Sequence, residues 1–113
     1  CQNCLVDFSV PTKILLELGV PEERLPEFKN LKKGQGCALC NNTGMSGRIA
    51  VHEVLKITAP VNEAIFASAS PIEIKKQAIK SRMMSIRMSA LEKLRKGLTT
   101  VEQIIGSTVA DDL

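Results

Sequence analysis

The chemistry this sequence offers lies in four cysteines, arranged as two C-x-x-C pairs, Cys1-Gln-Asn-Cys4 and Cys37-Ala-Leu-Cys40. That spacing lets both thiolates of a pair reach one metal ion from a single tight turn, and two such turns close a tetrahedron. Zinc takes four thiolates at about 2.3 Å in closed structural sites, leaving no position for water or substrate. The expected ligands are therefore Cys1, Cys4, Cys37 and Cys40 around a structural zinc. Two alternatives use the same residues: a tetrathiolate iron site, which needs the same donor set, and a pair of disulfides or free thiols. Disulfides fit poorly with a chain lacking secretory features. No catalytic residue is expected. His52, the single histidine, is expected at the surface or packed on a strand rather than on the metal.

The elements that must position these sulfurs follow from the punctuation between them. Residues 5–36 are a longer spacer than the roughly 15–20 residues usual between ribbon knuckles, so an insertion must be carried there. Thr12 to Leu18 has Ile14, Leu15 and Leu18 at helical spacing, and Gly19 followed by Pro21 stops it. Pro21 to Leu31 holds two prolines and mixed charge and reads as irregular surface. Gly36 and Gly44 relieve backbone crowding around the second knuckle. Beyond it, Arg48 to Ile57 alternates with Ile49, Val51, Leu55 and Ile57 on one face, which predicts a strand. Arg48 and Glu53 would pair at its ends.

From Thr58 onward the signals are helical. Ser70-Pro71-Ile72-Glu73 is an N-cap, an N1 proline and an N3 acid in capping-box order, and Thr99-Thr100-Val101-Glu102 repeats the logic without proline. Ile79, Met83, Ile86, Ala90, Leu91 and Leu94 step at three- and four-residue intervals, predicting one buried stripe across two helices that Gly97 ends. Helices are expected near 59–68, 71–81, 86–96 and 100–106, with 110–113 frayed. The fold class is α+β, mainly α. A tetracysteine subdomain (1–57) with a short strand region precedes a helical subdomain (58–113) of about four helices.

Bulk properties narrow the function classes. With 113 residues, 44% apolar and 24% charged, the chain should fold as one compact domain or two small subdomains, and it is short for an enzyme. No apolar run approaches the roughly 20 residues of a membrane span, and no signal peptide opens the chain, so a cytoplasmic location is expected. A start at Cys1 rather than Met points to a piece of something longer. Net charge is +3, with the two signs interleaved, Tyr and Trp absent and three Phe in all. Base stacking therefore has little to work with, and no nucleic-acid partner is expected.

Two stretches carry a resemblance that covers essentially the whole chain. Gly36-Cys37-Ala-Leu-Cys40-Asn-Asn-Thr43-Gly44-Met45-Ser-Gly47-Arg48, with the Glu53 that follows, resembles the tetracysteine region of bacterial type II secretion and type IV pilus assembly ATPases. Those proteins read G-C-x-x-C-x-x-T-G-Y-x-G-R. Met84-Ser-Ile-Arg87 through Gly97-Leu-Thr99-Thr100-Val-Glu102 is similar to their end, usually G-M-x-T-L-R-x-D-G-L and then G-x-T-T-x-E-E. Met45 stands for the usual Tyr, Arg82-Met83 for Gly-Met and Ser89-Ala90 for Asp-Gly.

The resemblance implies the C-terminal domain of a motor that is hexameric when complete and peripheral to the cytoplasmic face of the inner membrane. Its partners would be the rest of the motor and the inner-membrane secretion or pilus platform, and its nucleotide site would lie upstream. ATP and magnesium would act only in the parent, since no G-x-x-x-x-G-K-[ST] segment occurs between residues 1 and 113. The first rival is a stand-alone zinc-ribbon interaction or nucleic-acid module, which should cluster basic and aromatic residues at the knuckles; they are sparse here. A chaperone zinc domain of the DnaJ type and a thiol oxidoreductase are further rivals. The first needs more glycine-trailed pairs than the one present, and the second needs a reactive C-x-x-C while metal is bound.

Overall fold

Each helix begins where a side chain or a proline can satisfy or replace its free N–H groups. In the computed structural model, which describes residues 1–111, Ser70 Oγ accepts from the Glu73 amide at 3.3 Å and Ser85 Oγ from the Met88 amide at 3.2 Å. Thr100 Oγ1 accepts from the Gln103 amide at 3.4 Å. These start α3 (Pro71–Lys80), α4 (Ile86–Arg95) and α5 (Val101–Ser107). Before them come α1 (Thr12–Leu18), which ends on Gly19 at φ 105°, and α2 (Ala59–Phe66). Observed helix limits fall within a residue or two of those read from the sequence. Only half of the expected capping box forms at α3, because the Glu73 carboxylate turns to Lys76 instead.

The sheet is small and lies elsewhere than predicted. β1 (Leu5–Phe8) and β2 (Leu31–Gly34) pair antiparallel, with Leu5 opposite Gly34 and Phe8 opposite Leu31. The spacer between the knuckles is thus a strand, α1, a seven-residue 3-10 segment (Glu22–Phe28) and a returning strand. Pro21 to Leu31, read as irregular surface, buries Phe28 and Leu31. The predicted strand at Arg48 to Ile57 is not one: residues 50–58 form no ladder, and Ile49, Val54, Leu55 and Ile57 are exposed. Alternation marks an amphipathic extended segment, but a strand also needs a backbone partner, and β1 and β2 use each other. The segment is tethered instead by the His52 amide on Ser89 Oγ (3.2 Å) and by Glu53 Oε2, which accepts from the first α4 amide, Ile86, at 3.1 Å. Among the described residues no ion pair joins Arg48 to Glu53.

The main core draws on both ends of the chain. Leu15, Leu18, Val20, Phe28 and Leu31 from the spacer pack with Ala90, Leu91 and Leu94 of α4 and Val101 and Ile104 of α5. Helices α2 and α3 close on each other over Val61 and Ala78, with Thr58 and Ser81 hydroxyls 3.0 Å apart beside them. The expected stripe from Ile79 to Leu94 holds only in part. Ile86 faces solvent, and the buried face of α4 carries Arg87 and Ser89 beside Ala90, Leu91 and Leu94. Fraying was expected from Ala110 onward, but Asp111 is bonded to Ser85 Oγ (2.6 Å) and Lys75 Nζ (2.7 Å). Asp112 and Leu113 lie outside the described residues.

Candidate metal centre

The β1–β2 ladder sets the two knuckles side by side. Cys4 ends a 3-10 turn that runs straight into β1, and the Gln35 amide on the Cys4 carbonyl (3.1 Å) prolongs the pairing toward Cys37. The second knuckle is a 3-10 turn over Ala38–Cys40 that reverses through Asn41 and Asn42, both at positive φ. Asparagine tolerates that region better than most residues. Thr43 fastens the reversal: its hydroxyl donates to the Cys40 carbonyl at 2.6 Å and accepts from the Met45 amide at 3.1 Å.

Glycines let the backbones close. A Cβ on Gly34 would overlap the Gly44 carbonyl, and one on Gly44 would overlap that of Gly34. Gly36, at φ 104°, lies against the Asn42 carbonyl. The sequence points to Gly36 and Gly44. Gly34 was missed, because nothing local distinguishes it from any glycine ending a strand.

All four Sγ atoms lie within 4.8 Å of one another. Cys1 to Cys37 is 3.8 Å, Cys4 to Cys40 3.8 Å and Cys37 to Cys40 3.7 Å. Four bonds of about 2.3 Å in a regular tetrahedron set the sulfur–sulfur edge at about 3.8 Å. A disulfide would need about 2.05 Å, and none of the four is bonded to another. Donor number, type and edge length thus fit a tetrahedral metal ion such as zinc, and the same cage would accept iron. His52 is exposed and outside the cluster.

The sulfurs differ in environment. Burial opposes ionisation of Cys40, but the Cys37 and Gly44 amides, at 3.3 and 3.2 Å, outweigh it and hold its thiol down to about 6. Cys37 is lowered first by the Asn3 side chain, whose Nδ2 donates at 3.3 Å. Cys4 is raised, because burial outweighs the Gly36 amide. A cluster in which some thiols ionise readily is suited to exchanging protons for a cation. With every coordination position filled by cysteine, such a centre staples the fold and activates no water.

Several basic side chains are already engaged within the chain. Lys32 pairs with Asp7, Lys33 lies over the Phe8 ring at 4.6 Å, Lys76 meets Glu73, and Arg87 is buried. Among the described residues no helix is long and apolar enough to cross a membrane.

Comparison with known proteins follows the same outline. A family model described as type II/IV secretion system protein matches residues 1–106. The chain is 37% identical over 103 residues to the type IV pilus assembly ATPase PilB of Myxococcus xanthus, covering 91% of this chain and 18% of that protein. It is 35% identical over 109 residues to PilB of Thermus thermophilus, covering 96% of this chain and 12% of the relative. Identity to the type II secretion system protein E of Aeromonas hydrophila is 30% over 111 residues, covering 98% of this chain and 21% of the relative. The chain thus spans about a fifth or less of these relatives' length. With the match running from the first knuckle into α5, this chain belongs to the type II/IV secretion system protein family.

Proposed function

We propose that the chain is the non-catalytic, zinc-stabilised C-terminal domain of a hexameric secretion or pilus assembly ATPase. Cys1, Cys4, Cys37 and Cys40 hold one structural zinc, and the domain supports motor assembly and coupling to the inner-membrane machinery. ATP and magnesium act in the rest of the motor, on the cytoplasmic face of the inner membrane; the ATPase names of the relatives support the use of ATP. The observation that carries the zinc assignment is the convergence of four sulfurs from two distant knuckles at tetrahedral spacing. A closed tetrathiolate centre contributes its binding free energy to folding, so bound zinc would fasten the two knuckles to each other.

The test is elemental analysis of freshly purified protein, with thermal melts before and after a strong chelator. About one zinc per chain, with a large fall in melting temperature on chelation, is the expected result. Iron in its place would appear in the same analysis and in the visible absorption of the thiolate complex. Folded protein with no metal would refute the assignment.

A further inference from the structure

Sulfur ligands are held in place by the N–H groups aimed at them, and in the second knuckle one sulfur is held by backbone amides alone while the other also draws on a side chain of the first knuckle. Cys40 Sγ takes two backbone amides, from Cys37 at 3.3 Å and Gly44 at 3.2 Å. Cys37 Sγ takes one amide, that of Cys40 in its own turn, and its second N–H comes from a side chain of the other knuckle, Asn3 Nδ2 at 3.3 Å. The contact crosses from Gln2–Cys4 to the Ala38–Cys40 turn and is exposed, so it contributes little to the core. Only the –NH2 end of a carboxamide donates, and its oxygen would be repelled by sulfur lone pairs, so the orientation of Asn3 is set by the sulfur it faces.

We propose that Asn3 is a positioning residue of the metal centre, which aims Cys37 Sγ at the common point of the four sulfurs and slows departure of the bound ion. The proposal rests on the zinc reading above. Outer partners of ligating groups orient them and draw on their charge, and their loss typically costs about 10–100-fold in metal affinity. Cys37 is half-buried. Without Asn3 its sulfur keeps only the Cys40 amide, is less firmly aimed and meets protons and competing chelators more readily.

The experiment is transfer of zinc from the loaded 113-residue chain to a chromophoric chelator, for wild type, Asn3→Ala and Asn3→Asp. Release from N3A should be about tenfold faster than from wild type, the lower end of that range for an exposed partner. N3D keeps the size of Asn3 but sets a carboxylate against thiolates, and it should release faster still. Cobalt-loaded samples should show the sulfur-to-metal charge-transfer band displaced in both variants, a signature that loss of packing alone would not move. If N3D matches wild type in rate and spectrum, the contact is mere surface packing and the proposal fails. If all three hold about one metal and release it at one rate, the zinc reading stands and Asn3 is irrelevant to it. Wild type that binds no metal overturns both. Should N3A lose its far-ultraviolet dichroism, the isosteric N3D decides the question alone.

Discussion

The knuckle region and the α4–α5 region both bring distant parts of the chain together, but by different physics. Around the knuckles only Cys4 and Cys40 are buried among the residues of the two turns, and Leu39 at the tip is 77% exposed. Little apolar area leaves water there, so its order must come from the ladder, the glycine contacts and whatever the sulfurs bind. Around α4 and α5, ten buried apolar residues form one cluster, and polar groups serve as fasteners at its margin. A region stapled by ligands should fail abruptly when the staple is removed, whereas a packed region should lose stability in proportion to what is taken out.

The sharpest test of that contrast is Cys37→Ser. Apparent binding free energies of structural zinc are about 10–16 kcal/mol at neutral pH, so one lost ligand should abolish stoichiometric metal. Hydrogen exchange should then report loss of protection in β1, β2 and the second knuckle, while α1 and α4 amides stay protected, because Leu15 and Leu18 remain packed on Leu91 and Leu94. If the whole chain unfolds together, the two regions are one cooperative unit and the contrast fails. Leu94→Ala is the converse test. This side chain is 1% exposed, and its truncation should cost about 2–5 kcal/mol. Denaturant melts of the metal-loaded protein would measure it, with metal content unchanged.

How much of each region was legible follows from the same physics. The convergence of the four cysteines could be read because metal chemistry dictates residue type and spacing, and the helices because Ser70, Gly19 and Gly97 are local signals. The sheet could not be read. Leu5–Phe8 and Leu31–Gly34 have weak patterns of their own, and their pairing is decided by the knuckles that flank them. Arg48–Ile57 has the better pattern and no partner. Arg87 and Asp111 were also missed as fasteners, since an arginine on an apolar helix face looks like solvated surface until its acceptors are known. Those acceptors lie far off: the Leu18 carbonyl at 3.3 Å, Thr108 Oγ1 at 2.7 Å and the Thr108 carbonyl at 3.1 Å.

Arg87→Met tests whether these fasteners matter beside the core they border. It would keep much of the side chain's bulk but strand the Leu18 and Thr108 carbonyls, and an unsatisfied buried polar group costs about 1–3 kcal/mol. The expected result is a loss of that size in denaturant melts, with faster exchange of the Thr108 amide. Since the knuckles are untouched, the rate of metal release should not change; a change there would mean that the clasp and the metal site are coupled.

The smallest effect, and the most specific in its sign, belongs to Glu92. It accepts from Arg24 Nη2 at 2.6 Å and from Arg95 Nη2 at 2.9 Å, tying the 3-10 segment to α4. Arg24 first, and then Arg95, hold its carboxyl below the ordinary value in spite of some burial. The unfolded chain therefore binds this proton more readily than the folded one, and folding is favoured while both states are ionised. That contribution is complete above the unfolded value of about 4.3 and fades as pH falls through the lower folded one. Because Arg24 is 42% exposed, screening keeps the pair within the ~0–1 kcal/mol of surface ion pairs. Glu92→Gln should accordingly melt slightly below wild type at pH 7, and the gap should close as the pH is lowered below about 4. Metal-free Cys37→Ser protein is the background for this measurement, since acid also strips thiolate-bound metal and would otherwise mask so small a change. A gap that widens in acid would mean that Glu92 is protonated more easily in the folded chain, and that the arginines beside it do not set its charge.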